Sequence, residues 1–272
     1  MHRAILAFIL VAVSQAPAYA QSGCTAPAAD CVVVGDWSLS VSLGYGERSN
    51  PIVGGRDIPL VVVPQISYYG KRFFLENLDL GVTLYEDATH TLNLLATPGY
   101  DRVFFVRDDP QNYFVAFAGG TAVPAAPEPE PMIAHPRRTT YLTGLEWLIR
   151  AGPVAGQLDA LYEATGRHKG YEVRGALAAP LVQNDNSLVV STGFTWKSAA
   201  LVNYYYGVER LYRADAAFNP FIKLGYSRAL SERFTLNAFA HYEHLDDAIA
   251  DSPIVTDHGV LSVFAGFVVK LF

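Results

Sequence analysis

The sequence predicts an all-β chain: a transmembrane, antiparallel up-and-down β-barrel of twelve strands, with ten as the alternative count. Three observations predict it. The first is the last stretch, 258–272, which reads HGVLSVFAGFVVKLF. Leu261, Val263, Ala265, Phe267, Val269 and Leu271 form one apolar parity, and Val260, Ser262, Phe264, Gly266, Val268, Lys270 and Phe272 form a mixed one. Alternation this long means an extended strand with one face in an apolar medium and the other in a tighter or wetter one. The second is that similar segments recur along the chain, joined by connections that alternate between short and mostly long. Short periplasmic turns with longer outer loops are how outer-membrane barrels are arranged. The third is an export signal with no later apolar run of the length a membrane helix requires. Any membrane span must therefore be built from strands.

The export signal occupies residues 1–20. His2 and Arg3 precede an apolar run from Ile5 to Val13, and Ala18-Tyr19-Ala20 offers a small-residue cleavage site before Gln21. Residues 21–36 form a periplasmic N-terminal segment holding the chain's two cysteines, Cys24 and Cys31. In an oxidising compartment they are disulfide candidates. Lipidation of Cys24 is the sharper alternative, but Gln21-Ser22-Gly23 lacks the aliphatic residue that a lipoprotein signal wants.

The barrel is expected to run from 37 to 272. Its first strand is 37–45, where Trp37, Leu39, Val41, Leu43 and Tyr45 alternate with Ser38, Ser40, Ser42 and Gly44. After a loop rich in Gly, Asn and Pro comes 58–69, and Gly70 turns the chain into 72–85. The stretches 89–100 and 113–120 make the next two strands. Residues 122–138 are read as one long loop, because the five prolines of 122–136 remove ladder donors and cannot sit in a strand interior. Alternation then resumes in 140–151 and 154–164, split by Gly152-Pro153, and in 171–181 and 188–197, split by Asn184-Asp185-Asn186. Strands 218–228 and 234–243 are split by Leu230-Ser231-Glu232. In the second of these, Arg233, Thr235, Asn237, His241 and Glu243 oppose Phe234, Leu236, Ala238, Ala240 and Tyr242. Polar residues at every second position of a lipid-compatible strand belong in a lumen. An even count puts both termini on one side.

Composition agrees. Hydrophobic residues make up 51% and charged residues only 17%, with 16 Tyr and 15 Phe, which is too apolar and aromatic for disorder. A net charge of −6 argues against a nucleic-acid partner, which would want a basic face. There is no Gly-rich phosphate loop and no Cys/His pattern at zinc spacing, so no cofactor is implied.

Four segments carry a family likeness: Arg72-Phe73-Phe74 with Gly81-Val82; Gly166-x-His168-x-Gly170; Tyr204-Tyr205-Tyr206-Gly207-Val208 within an Asn203-led run; and Asp251-Ser252-Pro253-Ile254-Val255. In that order, with an aromatic terminal strand ending at Phe272, the chain resembles the MipA/OmpV family of outer-membrane proteins. The proline-rich loop, the cysteine pair and the Lys-Leu-Phe ending depart from its pattern. The resemblance implies a scaffold in the lipid of the outer membrane, holding a periplasmic murein transglycosylase near a murein synthase. It also implies Phe272 as barrel closure and assembly signal. Some members are described as antigens or adhesins.

Candidate chemistry was weighed against plainer readings. Tyr204, Tyr205 and Tyr206 are expected in an interfacial aromatic girdle, with a recognition surface as the alternative. His168 reads as a turn residue. His241, His244, Asp246, Asp247, Asp251 and His258 lie close in sequence, but no fixed spacing makes them metal ligands. Ser252, Asp257 and His258 could be drawn as a hydrolase triad, yet no nucleophile elbow surrounds Ser252. Arg174, Lys197, Lys223, Arg233, Glu163, Asp159 and Glu243 share the inner parity and would line a polar lumen. The expectation is a non-enzymatic scaffold, with no catalytic, cofactor or metal residues. A narrow channel or adhesin is the alternative, and a lipid-modifying enzyme is third.

Overall fold

A computed structural model describes residues 34–105 and 137–271. The export signal, Cys24 and Cys31, the expected strand 113–120, the prolines of 122–136 and Phe272 lie outside the described residues. Twelve strands follow in order: β1 (Trp37–Arg48), β2 (Ile58–Tyr69), β3 (Phe73–Glu76), β4 (Asp79–Glu86), β5 (His90–Pro98), β6 (Tyr141–Ala151), β7 (Val154–Glu163), β8 (Tyr171–Gln183), β9 (Asn186–Lys197), β10 (Ala217–Ala229), β11 (Phe234–His244) and β12 (Gly259–Lys270). Each pairs antiparallel with its neighbours in sequence, and β12 returns to β1 from Ser40↔Lys270 to Arg48↔Ser262. Closure satisfies every edge, which lipid demands because it supplies no hydrogen bonds.

The count of twelve is reached by a route that differs from the expected one. The stretch 72–85 is two strands, not one. Asn77 adopts φ 56, a left-handed backbone that asparagine tolerates better than most residues, and folds β3 back on β4 as a tight hairpin. The stretch 89–100 ends as a strand at Pro98, and Tyr100–Phe104 coils into a 3-10 turn.

The parities fall as alternation requires. On β12, Val260, Ser262, Phe264 and Gly266 face in, while Leu261, Val263, Ala265 and Phe267 face out. Around the wall, exposed Leu43, Val62, Leu80, Leu94, Leu145, Leu158, Ile222 and Leu224 form an outward apolar band. Tyr45, Tyr162, Tyr171, Phe218 and Tyr242 border it near one rim, and Trp37, Phe73, Tyr85 and Phe234 near the other. An outward apolar band between two aromatic girdles is the surface of a membrane-spanning barrel. At the closing seam, Gly44 sits opposite Gly266. A Cβ on either would lie within 2.8 Å of the tip of the Phe264 ring, so the paired glycines make room for that side chain inside the barrel.

The two ends are unlike. At one, the chain turns over a few residues: 70–72, 87–89, 152–153, 184–185 and 230–233. At the other it makes the longer connections 49–57, 99–140, 164–170, 198–216 and 245–258, broken only by the β3–β4 hairpin. Among the described residues two helices stand there, α1 (Ala199–Tyr206) and α2 (Asp247–Ala250). The apolar cluster gathered at this end comprises Ile52, Val103, Phe104, Leu201, Val202, Tyr205, Tyr206, Leu245, Ile249 and Val255, with smaller neighbours.

Candidate functional site

The described parts of the long connections fold into a cap that fills the loop end of the barrel, and α1 is its centre. Ser198 is extended (φ −66, ψ 154), and its carbonyl accepts the N–H groups of Leu201 and Val202, which starts the helix. Its hydroxyl accepts from the Tyr171 N–H at 2.9 Å and so ties the helix start to β8. Gly207 ends the helix, donating its N–H to the Asn203 carbonyl. Asn203 then latches the returning chain, donating Nδ2 to the Ala214 carbonyl and accepting the Ala214 N–H at 2.9 Å.

The three tyrosines are therefore not a girdle. Tyr205 and Tyr206 are fully buried. A helix inside the cap points them at the barrel axis, where a strand would have turned one of them to lipid. The Tyr206 hydroxyl donates to Asp101 Oδ1 at 2.7 Å, and Lys197 Nζ reaches the same oxygen at 2.6 Å. Burial alone would raise the Asp101 carboxyl, but the Lys197 ammonium and the two donated hydrogen bonds outweigh it and hold the group below its ordinary value. Burial pushes the Tyr205 and Tyr206 hydroxyls up, so both stay neutral. The Tyr205 hydroxyl meets Thr140 Oγ1 at 3.1 Å. Arg137 donates from Nε to the Tyr205 carbonyl (3.0 Å) and from Nη2 to the Gly207 carbonyl (3.2 Å), taking up carbonyls that a helix end leaves bare.

Two more of the motif segments close on α1. In the 164–170 loop, Gly166 has φ 73, and the backbone N–H groups of Thr165, Arg167, His168 and Lys169 turn in on the Glu163 carboxylate. The His168 ring packs 5.4 Å from Tyr204 and 6.2 Å from Tyr205, and its Nδ1 accepts the Gly170 N–H. Burial pushes the imidazole below its ordinary 6.5, against the pull of Glu163, Asp101 and Glu172. A Cβ on Gly170 would meet Ser198 Oγ at 2.8 Å and Leu201 N at 2.9 Å, so glycine is what lets this loop touch the helix start. From the other side, Ser252 Oγ donates to the Tyr206 carbonyl at 2.6 Å in a fully buried contact. Ile254 and Val255 pair with 52–53 of the first loop, while Asp251 and Pro253 are exposed.

The structure thus brings together His168, Gly170, Tyr204, Tyr205, Tyr206, Gly207 and Ser252. It does not bring Arg72, Phe73 and Phe74 to them. Arg72 and Phe73 are exposed on the turn-end side, and the Phe74 ring lies beside Tyr69 and over Gly81 in the wall. The Ser252 hydroxyl is committed to a carbonyl and shut from solvent, so it is not a nucleophile. Asp246 caps α2, accepting from Ala248 N–H, and also accepts from Phe218 N–H. Among the described residues, no three His, Cys, Asp or Glu side chains stand together as a metal would need. Arg174, Lys197, Lys223, Glu163, Asp159 and Glu243 do lie on inward parities, whereas Arg233 is exposed in the β10–β11 turn, one residue before β11 begins. Asp101, Thr140 and Arg137 were missed as cap residues, since their partners come from 65 or more positions away.

Residues 39–270 match the family described as MltA-interacting protein MipA. The MltA-interacting protein of Escherichia coli (strain K12) is 23% identical over 243 residues, covering 80% of this chain and 84% of that protein. The "Putative outer membrane protein YiaT" of the same strain is 21% identical over 226 residues, with the same two coverages. A solved porin overlaps 87% of this chain and all of its own, at 9% identity and a TM-score of 0.34. That overlap is loose, and the barrel stands on its own strand register.

Proposed function

This chain belongs to the MltA-interacting protein MipA family, and we propose that it is an outer-membrane scaffold that holds a periplasmic murein transglycosylase against its turn-end face. A murein synthase is the second enzyme that the family resemblance brings to that face. The outer-membrane barrel itself is established by the closed sheet, the lipid-facing band and the family match. The adaptor role is inferred from the relative named for an interaction with MltA.

The observation that carries the reading is the asymmetry of the two ends. Short turns face the periplasm in barrels of this kind. Here they present exposed Lys71, Arg72, Asp87, Asp185, Glu232 and Arg233. The loop end spends its buried polar groups on holding the cap together, and its exposed charges, such as Arg167, Lys169, Arg213, Asp215 and Asp251, lie on the outer side, away from the periplasm. A partner bound through charged rim contacts needs an accessible face, and the turns supply one. The cap also weighs against a freely open channel, because α1 and its neighbours fill the loop end.

The test is capture of purified periplasmic enzymes by the detergent-folded barrel, beside a barrel of unrelated sequence. Recovery of a murein transglycosylase, lost when Asp185 and Glu232 are changed to Lys, supports the scaffold. Recovery no better than the control removes it.

A further inference from the structure

Inside the barrel one run of cross-strand neighbours is polar throughout. Register pairs Thr83 with Asn93, Asn93 with Glu146, Glu146 with Asp159, Asp159 with Arg174, and Arg174 with Thr195. In its middle two carboxylates stand directly opposite each other, Glu146 at 9% and Asp159 at 0% exposure. Like charges at opposed positions repel, and burial sharpens the repulsion.

Their hydrogen-bond partners are neutral amides. Asn93 Nδ2 donates to Glu146 Oε2 at 2.6 Å. Gln157 Nε2 lies 3.2 Å from Glu146 Oε1 and 3.0 and 3.1 Å from the Asp159 oxygens. Arg174 is Asp159's cross-strand neighbour, but its Nε is engaged by Glu172 at 2.5 Å. Its buried Nη2 has no hydrogen-bond partner, and neither Glu146 nor Asp159 has an ion pair among the described residues. Asn93 is 3% exposed, and its Oδ1 has no hydrogen-bond partner. With its NH2 end turned to Glu146, the amide has its oxygen left over. A buried acceptor is therefore left open beside two opposed carboxyl groups that have no ion-pair partner among the described residues.

We propose that this wall, between β5 and β7, is a binding site for a primary ammonium group that enters the lumen from the turn end. An ammonium carries one charge and three N–H donors, matching the Asn93 amide oxygen and the free lone pairs of Glu146 and Asp159. A metal ion fits less well, since among the described residues no three acidic or imidazole side chains are grouped closely enough to hold one and the carboxylate oxygens already accept amide N–H groups. Entry follows from the fold. The cap fills the loop end, while toward the turn end small, partly exposed Ser38, Ser40, Ser67, Ser187, Ser227 and Thr235 face the lumen beside the larger Tyr69 and Leu148.

The experiment is thermal unfolding of the detergent-folded full chain in rising methylammonium chloride. Tetramethylammonium chloride and potassium chloride at matched ionic strength are the comparisons. Tetramethylammonium has the charge without the N–H donors, and potassium has charge and size alone. The expected result is a saturating rise in midpoint with methylammonium only, as for any ligand that binds the folded state. Its apparent Kd should weaken on the order of tenfold, a change equal to about 1.4 kcal/mol, in E146Q and in D159N. Both variants keep the shape of the side chain. Should one fail to fold, line broadening of isotope-labelled methylammonium on the wild-type barrel, relieved by N93S, reads the same site. Equal responses to all three salts, a potassium response equal to that of methylammonium, or an undiminished response in E146Q and D159N would each overturn the proposal.

Discussion

The barrel's two ends follow opposite physical rules. At the loop end, three segments separated by tens of residues converge on one short helix, and buried polar groups from each are spent on holding them together. Asp101 takes Lys197 and Tyr206, Arg137 takes two carbonyls, and Ser252 takes a third. At the turn end, four of the five tight connections present exposed charges, of which Asp87 also holds its own turn by accepting from Tyr85, Thr89 and His90. The contrast teaches that the most distinctive sequence motifs of this chain mark where folding is demanding.

That contrast can be broken by mutation, most severely at Asp101. Asp101→Ala leaves the Lys197 ammonium buried without its carboxylate. Losing one member of a buried pair costs about 3–5 kcal/mol, and the midpoint of thermal unfolding of the folded barrel should fall accordingly. The same variant, by loosening the cap, should show conductance steps in a planar bilayer that the parent lacks. Ser252→Ala strips one buried hydrogen bond and strands the Tyr206 carbonyl, with an expected loss of about 1–3 kcal/mol by the same readout. An unchanged midpoint would mean that the 251–255 segment is not a strut of the cap.

A pH series sharpens the comparison further. The His168 imidazole has its folded value pushed below its ordinary 6.5 by burial. The unfolded cap therefore takes up the proton more readily than the folded one. The contribution is fully present above that ordinary value and is lost as pH falls through it. Protection of α1 amides should drop between about pH 7.5 and 5.5, within the range where histidine charges, and should not drop in H168F. The smallest effect belongs to the turns. Glu232→Lys should shift stability by less than about 0.5 kcal/mol, as exposed substitutions do, yet lower capture of the periplasmic partner.

Much of the wall was legible in the sequence because a barrel strand writes its environment into every second residue. The 258–272 and 234–243 segments show this plainly, and both parities stand as read. The 72–85 segment misled because Phe74, Leu78, Leu80, Val82 and Leu84 keep one parity straight through the hairpin. Only Asn77, with Glu76 before it and Asp79 two residues on, hinted at the reversal. The cap was hidden for a different reason. Helix α1 is two turns long, and its apolar residues run together instead of recurring at helical spacing. Ser198 before it and Gly207 after it were the readable boundary signs. The partners of Tyr205 and Tyr206 lie 65 and 105 positions away, a separation that no local pattern encodes.

Hydrogen exchange of the folded, detergent-solubilised chain, followed by mass spectrometry, tests the sealed cap most directly. The account predicts that amides of Val202 to Tyr206 exchange as slowly as those of the wall strands, while those at 87–89 and 230–233 exchange rapidly. Exchange of the helix as fast as the turns would contradict it, leaving an open barrel whose loop end is no more ordered than its other rim.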